Sequence, residues 1–140
     1  MRFLLIPIVM VIGFQSTYAV QIDPMFIGKW ADSKPSCRGI INNDAHKVLT
    51  IKNSATNQIL DQRYEGYSYI NLIKVIQSPR NELQAIAIDY GFSDEEPEEI
   101  YKEKIQVDYT IIGNKLYSIN RYISEGGKEE SYTLTYMKCN

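Results

Sequence analysis

The side chains equipped for chemistry are few. His46 is the one histidine in 140 residues, and no serine or cysteine stands at a spacing that would make it a general base. A lone imidazole at the start of a strand reads as a surface or capping residue, so no catalytic residue is assigned. With Cys37 and Cys139 it also falls short of the four soft ligands a zinc site takes, so neither a metal nor a cofactor is expected. The densest titratable run is Asp94, Glu95, Glu96, Glu98 and Glu99, broken only by Pro97. It lacks the spaced ligands and central glycine of a calcium loop, and reads as a solvated hairpin tip or as a contact for a basic partner.

Tyrosine is the informative excess. Eleven Tyr stand against four Phe and one Trp, and a ring with a polar tip suits half-exposed positions, which are frequent at interfaces. Tyr64, Tyr67 and Tyr69 fall within six residues. Together with the five carboxylates they form the expected partner-binding set; tyrosine is also simply a good strand former.

The N-terminus reads as an address. Arg2 supplies a positive start, Phe3 to Phe14 is almost wholly apolar, and Thr17-Tyr18-Ala19 offers small residues at a cleavage position. About a dozen apolar residues broken by Pro7 and Gly13 are too few for a membrane-spanning helix, which needs about 20. Residues 1–19 are therefore expected to be a signal peptide, and the protein to be secreted or periplasmic. Export makes a Cys37–Cys139 disulfide the simplest reading of the two cysteines. A net charge of -2 argues against nucleic-acid binding.

These residues must be positioned by strands. Short β-rich runs broken by turn residues recur along the chain: His46 to Asn53, Tyr67 to Gln77, Leu83 to Tyr90, Lys104 to Ile112, Lys115 to Ile123 and Ser131 to Cys139. Tyr67 to Gln77 is apolar on both faces and reads as a central strand. Ile86 and Ile88 face together, and Lys104 to Ile112 is the cleanest alternation. Glu98 to Lys104 has an i,i+4 Glu-Lys pair, but the preferred reading is a turn leading into a strand. The fold expected for residues 20–140 is one all-β domain, a small antiparallel barrel or sandwich of seven to eight strands in an up-and-down meander.

Gly28-Lys29-Trp30 resembles the glycine-any-tryptophan motif that opens the first strand of lipocalins and lipocalin-like secreted proteins. The resemblance implies a barrel in which Gly28 allows close backbone approach, Trp30 plugs one end, and Arg121 stands for the basic residue packed over the tryptophan. Asp108-Tyr109 is similar to the family's second motif. The expected function is non-enzymatic binding, of a small apolar ligand or a protein partner. The alternative is a periplasmic inhibitor or immunity protein facing a toxin or lysozyme-like enzyme. A continuous barrel cavity would favour the ligand, and a solid core with a tyrosine- and acid-lined cleft the protein.

Overall fold

Turn residues and alternation divide the chain into strands, and a computed structural model shows how they close. It describes residues 20–43, 46–95, 98–123, 126–127 and 129–140; the signal segment expected at residues 1–19 lies outside them, as does Glu96. Eight strands form a closed antiparallel barrel in sequence order. They are β1 (Gly28–Ala31), β2 (Val48–Ile51), β3 (Ile59–Arg63), β4 (Gly66–Gln77), β5 (Glu82–Ser93), β6 (Glu99–Ile112), β7 (Lys115–Ile123) and β8 (Glu129–Lys138). A single helical turn, α1 (Lys34–Cys37), follows β1. Ser33 caps it, with its hydroxyl accepting from the Ser36 amide, and Pro35 sits in its first turn, where a missing N–H costs nothing.

The walls are unequal. β1 to β3 have four, four and five residues, whereas β4 to β8 have nine to fourteen. β1 pairs with β8 only through Trp30 opposite Lys138 and Ala31 opposite Met137. Among the described residues, β8 from Glu129 to Tyr136 therefore has β7 as its one strand neighbour.

The core fills the end of the barrel where β1 meets β8. Trp30, Phe26 and Ile22 plug it, and Leu49, Ile51, Ile59, Ile70, Leu83, Ile111, Leu116 and Tyr136 pack around them. On β5 the inward positions are Leu83, Ala85 and Ala87, while Ile86 and Ile88 do face together but on the half-buried outer side. Small inward residues on one wall leave room for the bulky ones opposite. β4 departs from the expected two-sided burial. Ile70 and Leu72 face in, a register shift between Leu72 and Lys74 flips the alternation so that Val75 packs on the core, and Ile73 and Ile76 are left about half exposed, at 53% and 50%. No helix among the described residues is long and apolar enough to cross a membrane.

Candidate functional site

At the opposite end the interior changes character. Strand alternation that places Ile59 in the core carries the same face of β3 on to Asp61 and Arg63, and the face of β5 that presents Ala85 and Ala87 continues to Asp89. The ladder aligns Asp61 with Ser68, Ser68 with Gly91, and Gly91 with Tyr101. β7 adds Asn120 and Tyr122 on its inward face. Gly91 is required there, because a Cβ at that position would collide with the Tyr101 ring.

Asp61, Ser68 and Asp89 are each at most 1% exposed, and Asn120 is 6% exposed. Arg63 Nη2 donates to Asp61 Oδ2 at 2.8 Å. Tyr122 and Tyr101 donate their hydroxyls to Asp89 Oδ2 at 2.8 and 3.3 Å. Burial pushes the Asp89 carboxyl above the usual carboxylate range, an effect only partly relieved by the Tyr122 hydroxyl and nearby Ser68. Burial likewise raises the Tyr101 phenol to about 12, with Asp89 adding to it, and raises Tyr122 for the same reasons. Burial works against the Arg63 charge, but Asp61 more than offsets it and the group is held protonated.

Four oxygens in this cluster are buried without a hydrogen-bond partner: Asp61 Oδ1, Ser68 Oγ, Asp89 Oδ1 and Asn120 Oδ1. Each such acceptor costs on the order of 1–3 kcal/mol when left unsatisfied. Above them opens a cleft of about 980 Å³, lined by Arg63, Tyr101, Asn120, Tyr122 and Tyr132 among others. Tyr122 and Tyr132 meet edge to face at 5.6 Å within it.

The residues expected to bind a partner lie on the rim and outer wall beside this end. Tyr64, Tyr67, Asp94 and Glu95 line a second, smaller cleft of about 270 Å³, drawn together where the Asp94 amide donates to the Glu65 carbonyl. Tyr67 stacks on Phe92 at 5.2 Å, and Tyr69 stands edge-on to both. Glu98 and Glu99 are exposed at the start of β6 and do not line that cleft.

The residues expected to be structural lie mainly at the filled end. Cys37 and Cys139 form the disulfide, joining α1 to the chain's end. Gly28 has φ +130, a backbone conformation side chains rarely adopt. Trp30 is 1% exposed and donates its indole N–H to the Phe26 carbonyl at 2.9 Å. Arg121 does not pack over it. Its parity on β7 turns it to the outer surface, where it pairs with Asp108 and Glu129, and the cation 5.1 Å above the indole belongs to Lys138 on the strand beside β1. Tyr109 of the second motif is a buried core ring and Asp108 faces outward to Arg121.

Sequence reasoning missed Asp61, Arg63, Asp89, Tyr101, Asn120 and Tyr122. A usable signal was the polar residue at an inward position of an otherwise apolar alternation: Asp89 follows Leu83, Ala85 and Ala87 at intervals of two. No protein-family model matches the chain, and comparison with curated proteins and with solved structures returns no match.

Proposed function

We propose that this chain is an exported, non-enzymatic binding protein of lipocalin-like type, and that it binds a small ligand at the open end of its barrel. The observation that carries the reading is the division of the interior. One end is packed solid around Trp30, while the other ends in a cleft over buried oxygens without hydrogen-bond partners. A pocket built to hold something needs polar groups whose partners are missing, and a purely structural interior does not. The polar lining also turns the expected ligand from apolar to polar. Gly28, Trp30 and the Lys138 cation over the indole support the lipocalin-like part. Export rests on the leader pattern at residues 1–19 and agrees with the disulfide.

Saturation-transfer NMR against a library of small polar and apolar compounds tests this reading. Polar compounds should receive saturation from the protein, and a tight-fitting competitor should displace them from the tyrosines of the larger cleft. If every binder maps instead to the outer wall around Ile86 and Ile88, the open end is not the site.

A second reading is favoured by one observation, the rim cleft that unites Tyr64 and Tyr67 with Asp94 and Glu95. It fits a protein partner with a basic face, as for an inhibitor of a toxin or lysozyme-like enzyme. Against such a captured partner, replacing Glu95, Glu96, Glu98 and Glu99 by Gln should slow association and flatten its salt dependence. Truncating Tyr64 and Tyr67 should mainly speed dissociation. An unchanged salt slope would remove the electrostatic part of this reading.

A further inference from the structure

We propose that the open-end cleft is a site for an organic cation carrying N–H donors, a primary ammonium attached to an apolar or aromatic body. This rests on the open-end reading above and adds the ligand's chemistry. Among the unpartnered oxygens of the cluster, those of Asp61, Asp89 and Asn120 are acceptors, two of them on carboxylates, and they outnumber the one hydroxyl, that of Ser68, which can donate to a single oxygen. A ligand that completes them must donate, and a charged donor makes the stronger hydrogen bond.

The walls suit the same ligand. Tyr101, Tyr122 and Tyr132 all line the cleft, and ring faces attract an ammonium group, the more so when it is partly desolvated. Tyr132 is 56% exposed and stands at the entrance against Tyr122, placed to close over an incoming group. The rim cations do not set the specificity. Arg63 is committed to Asp61, and Lys102 lies over the Tyr90 ring at 5.4 Å. The remaining cations of the lining, Lys47 and Lys104, are matched in number by its two carboxylates, Glu103 and Glu130. With formal charge balanced, the uncommitted hydrogen-bonding groups decide. An anionic ligand would add acceptors where unpartnered acceptors already outnumber the unpartnered Ser68 hydroxyl.

Binding within the cleft proceeds from the outside in. Asn120 lines the cleft and carries the first of the open oxygens. Asp89 and Asp61 lie behind the Tyr101, Tyr122 and Arg63 groups that bond to their other oxygens. Small rotations of those three side chains would bring a donor to the carboxylates. Asp89, whose ionised form burial disfavours, gains from a cation placed beside it.

The experiment is an NMR titration of the disulfide-bonded protein with four probes: phenethylammonium, phenylacetate, phenylethanol and tetramethylammonium. Phenethylammonium should bind at least tenfold more tightly than phenylacetate or phenylethanol and shift the Asn120 side-chain amide. Tetramethylammonium, with charge but no donor, should bind more weakly. Asn120→Leu, which keeps the size and removes the acceptor, should weaken phenethylammonium about tenfold, the factor expected from one charge-assisted hydrogen bond. If that variant does not fold, Tyr132→Leu at the exposed entrance serves instead and should weaken both cations severalfold. Preferential binding of phenylacetate, or equal binding of phenylethanol, overturns the cation proposal while leaving the open end as a binding site. No shift at any cleft residue with any probe overturns both, and assigns the open oxygens to water alone.

Discussion

The two ends of the barrel are built from the same strands and solve opposite problems. At the filled end, β3 contributes Ile59 and β5 contributes Leu83 and Ala85, and these belong to one apolar cluster around Trp30. Four or six residues further along the same strands, the inward positions are Arg63 and Asp89. Burial at the filled end is worth about 25 cal/mol per Å² of apolar surface. Burial at the open end works against the buried charges and leaves oxygens unsatisfied. One end supplies stability that the other spends, and such a division is typical of a functional site supported by a rigid scaffold.

Substitutions can break this comparison, and the largest effects belong to the filled end. The Cys37–Cys139 bridge closes a loop with a sequence separation of 102. The chain-entropy treatment gives about 4 to 5 kcal/mol for a loop of that size. Urea unfolding of the oxidised protein and of a Cys37→Ala, Cys139→Ala variant measures it directly. A difference under about 1 kcal/mol would mean that the filled end holds without its staple. Next comes Trp30→Ala, which should cost about 3 to 5 kcal/mol by opening a cavity among Phe26, Leu49 and Tyr136, measured the same way.

The open end should respond in the opposite direction. Asn120→Leu removes a buried acceptor without a partner, and equilibrium unfolding should show no loss, or a gain of about 1 kcal/mol. A loss comparable with that of Trp30→Ala would show that the two ends are not divided in this way. The smallest and most diagnostic effect is the pH dependence of Asp89→Asn. Burial raises the Asp89 carboxyl in the folded protein, so the folded state holds its proton more tightly than the unfolded chain. Stability from this group is therefore greatest at low pH and falls as pH rises through the folded-state value. Thermal melts should show Asp89→Asn gaining on the wild type as pH increases above the ordinary carboxylate range, with the two converging toward pH 4. Parallel melting curves across that interval would contradict the assignment.

The division also explains what could be read in the sequence. Lys104 to Ile112, with Ile105, Val107, Tyr109 and Ile111 on one face, was legible because that face lies inside the filled barrel. The meander follows from such runs and from the turns between them, and the β1–β8 pairing agrees with the expected Cys37–Cys139 bridge. β3 escaped because its inward set is Ile59, Asp61 and Arg63, and an alternation rule assigns the last two to solvent. Ile73 and Ile76 failed for another reason. A bulge is a property of pairing between strands and leaves no mark on the hydrophobic pattern of one strand. Of the site residues expected from sequence, Tyr64, Tyr67, Asp94 and Glu95 converge on one cleft across about thirty residues of chain, while the inner cluster was hidden by the assumption that polar means outside.

The short first strand has a consequence in time as well as in shape. β4 to β8 are joined by hairpins, so their pairing needs only local contacts and can zip in sequence, whereas the seam between Trp30 and Lys138 joins residues at opposite ends of the chain. Four residues of β1 give few hydrogen bonds to reward that closure, and the disulfide lies beside it, where the Cys139 amide donates to the Lys29 carbonyl. The barrel should therefore assemble as a curved sheet first and become a ring last, with oxidation locking the ring. Pulsed hydrogen exchange during refolding would register this order as early protection of β5 and β6 amides and late protection of β1, and simultaneous protection of all strands would refute it.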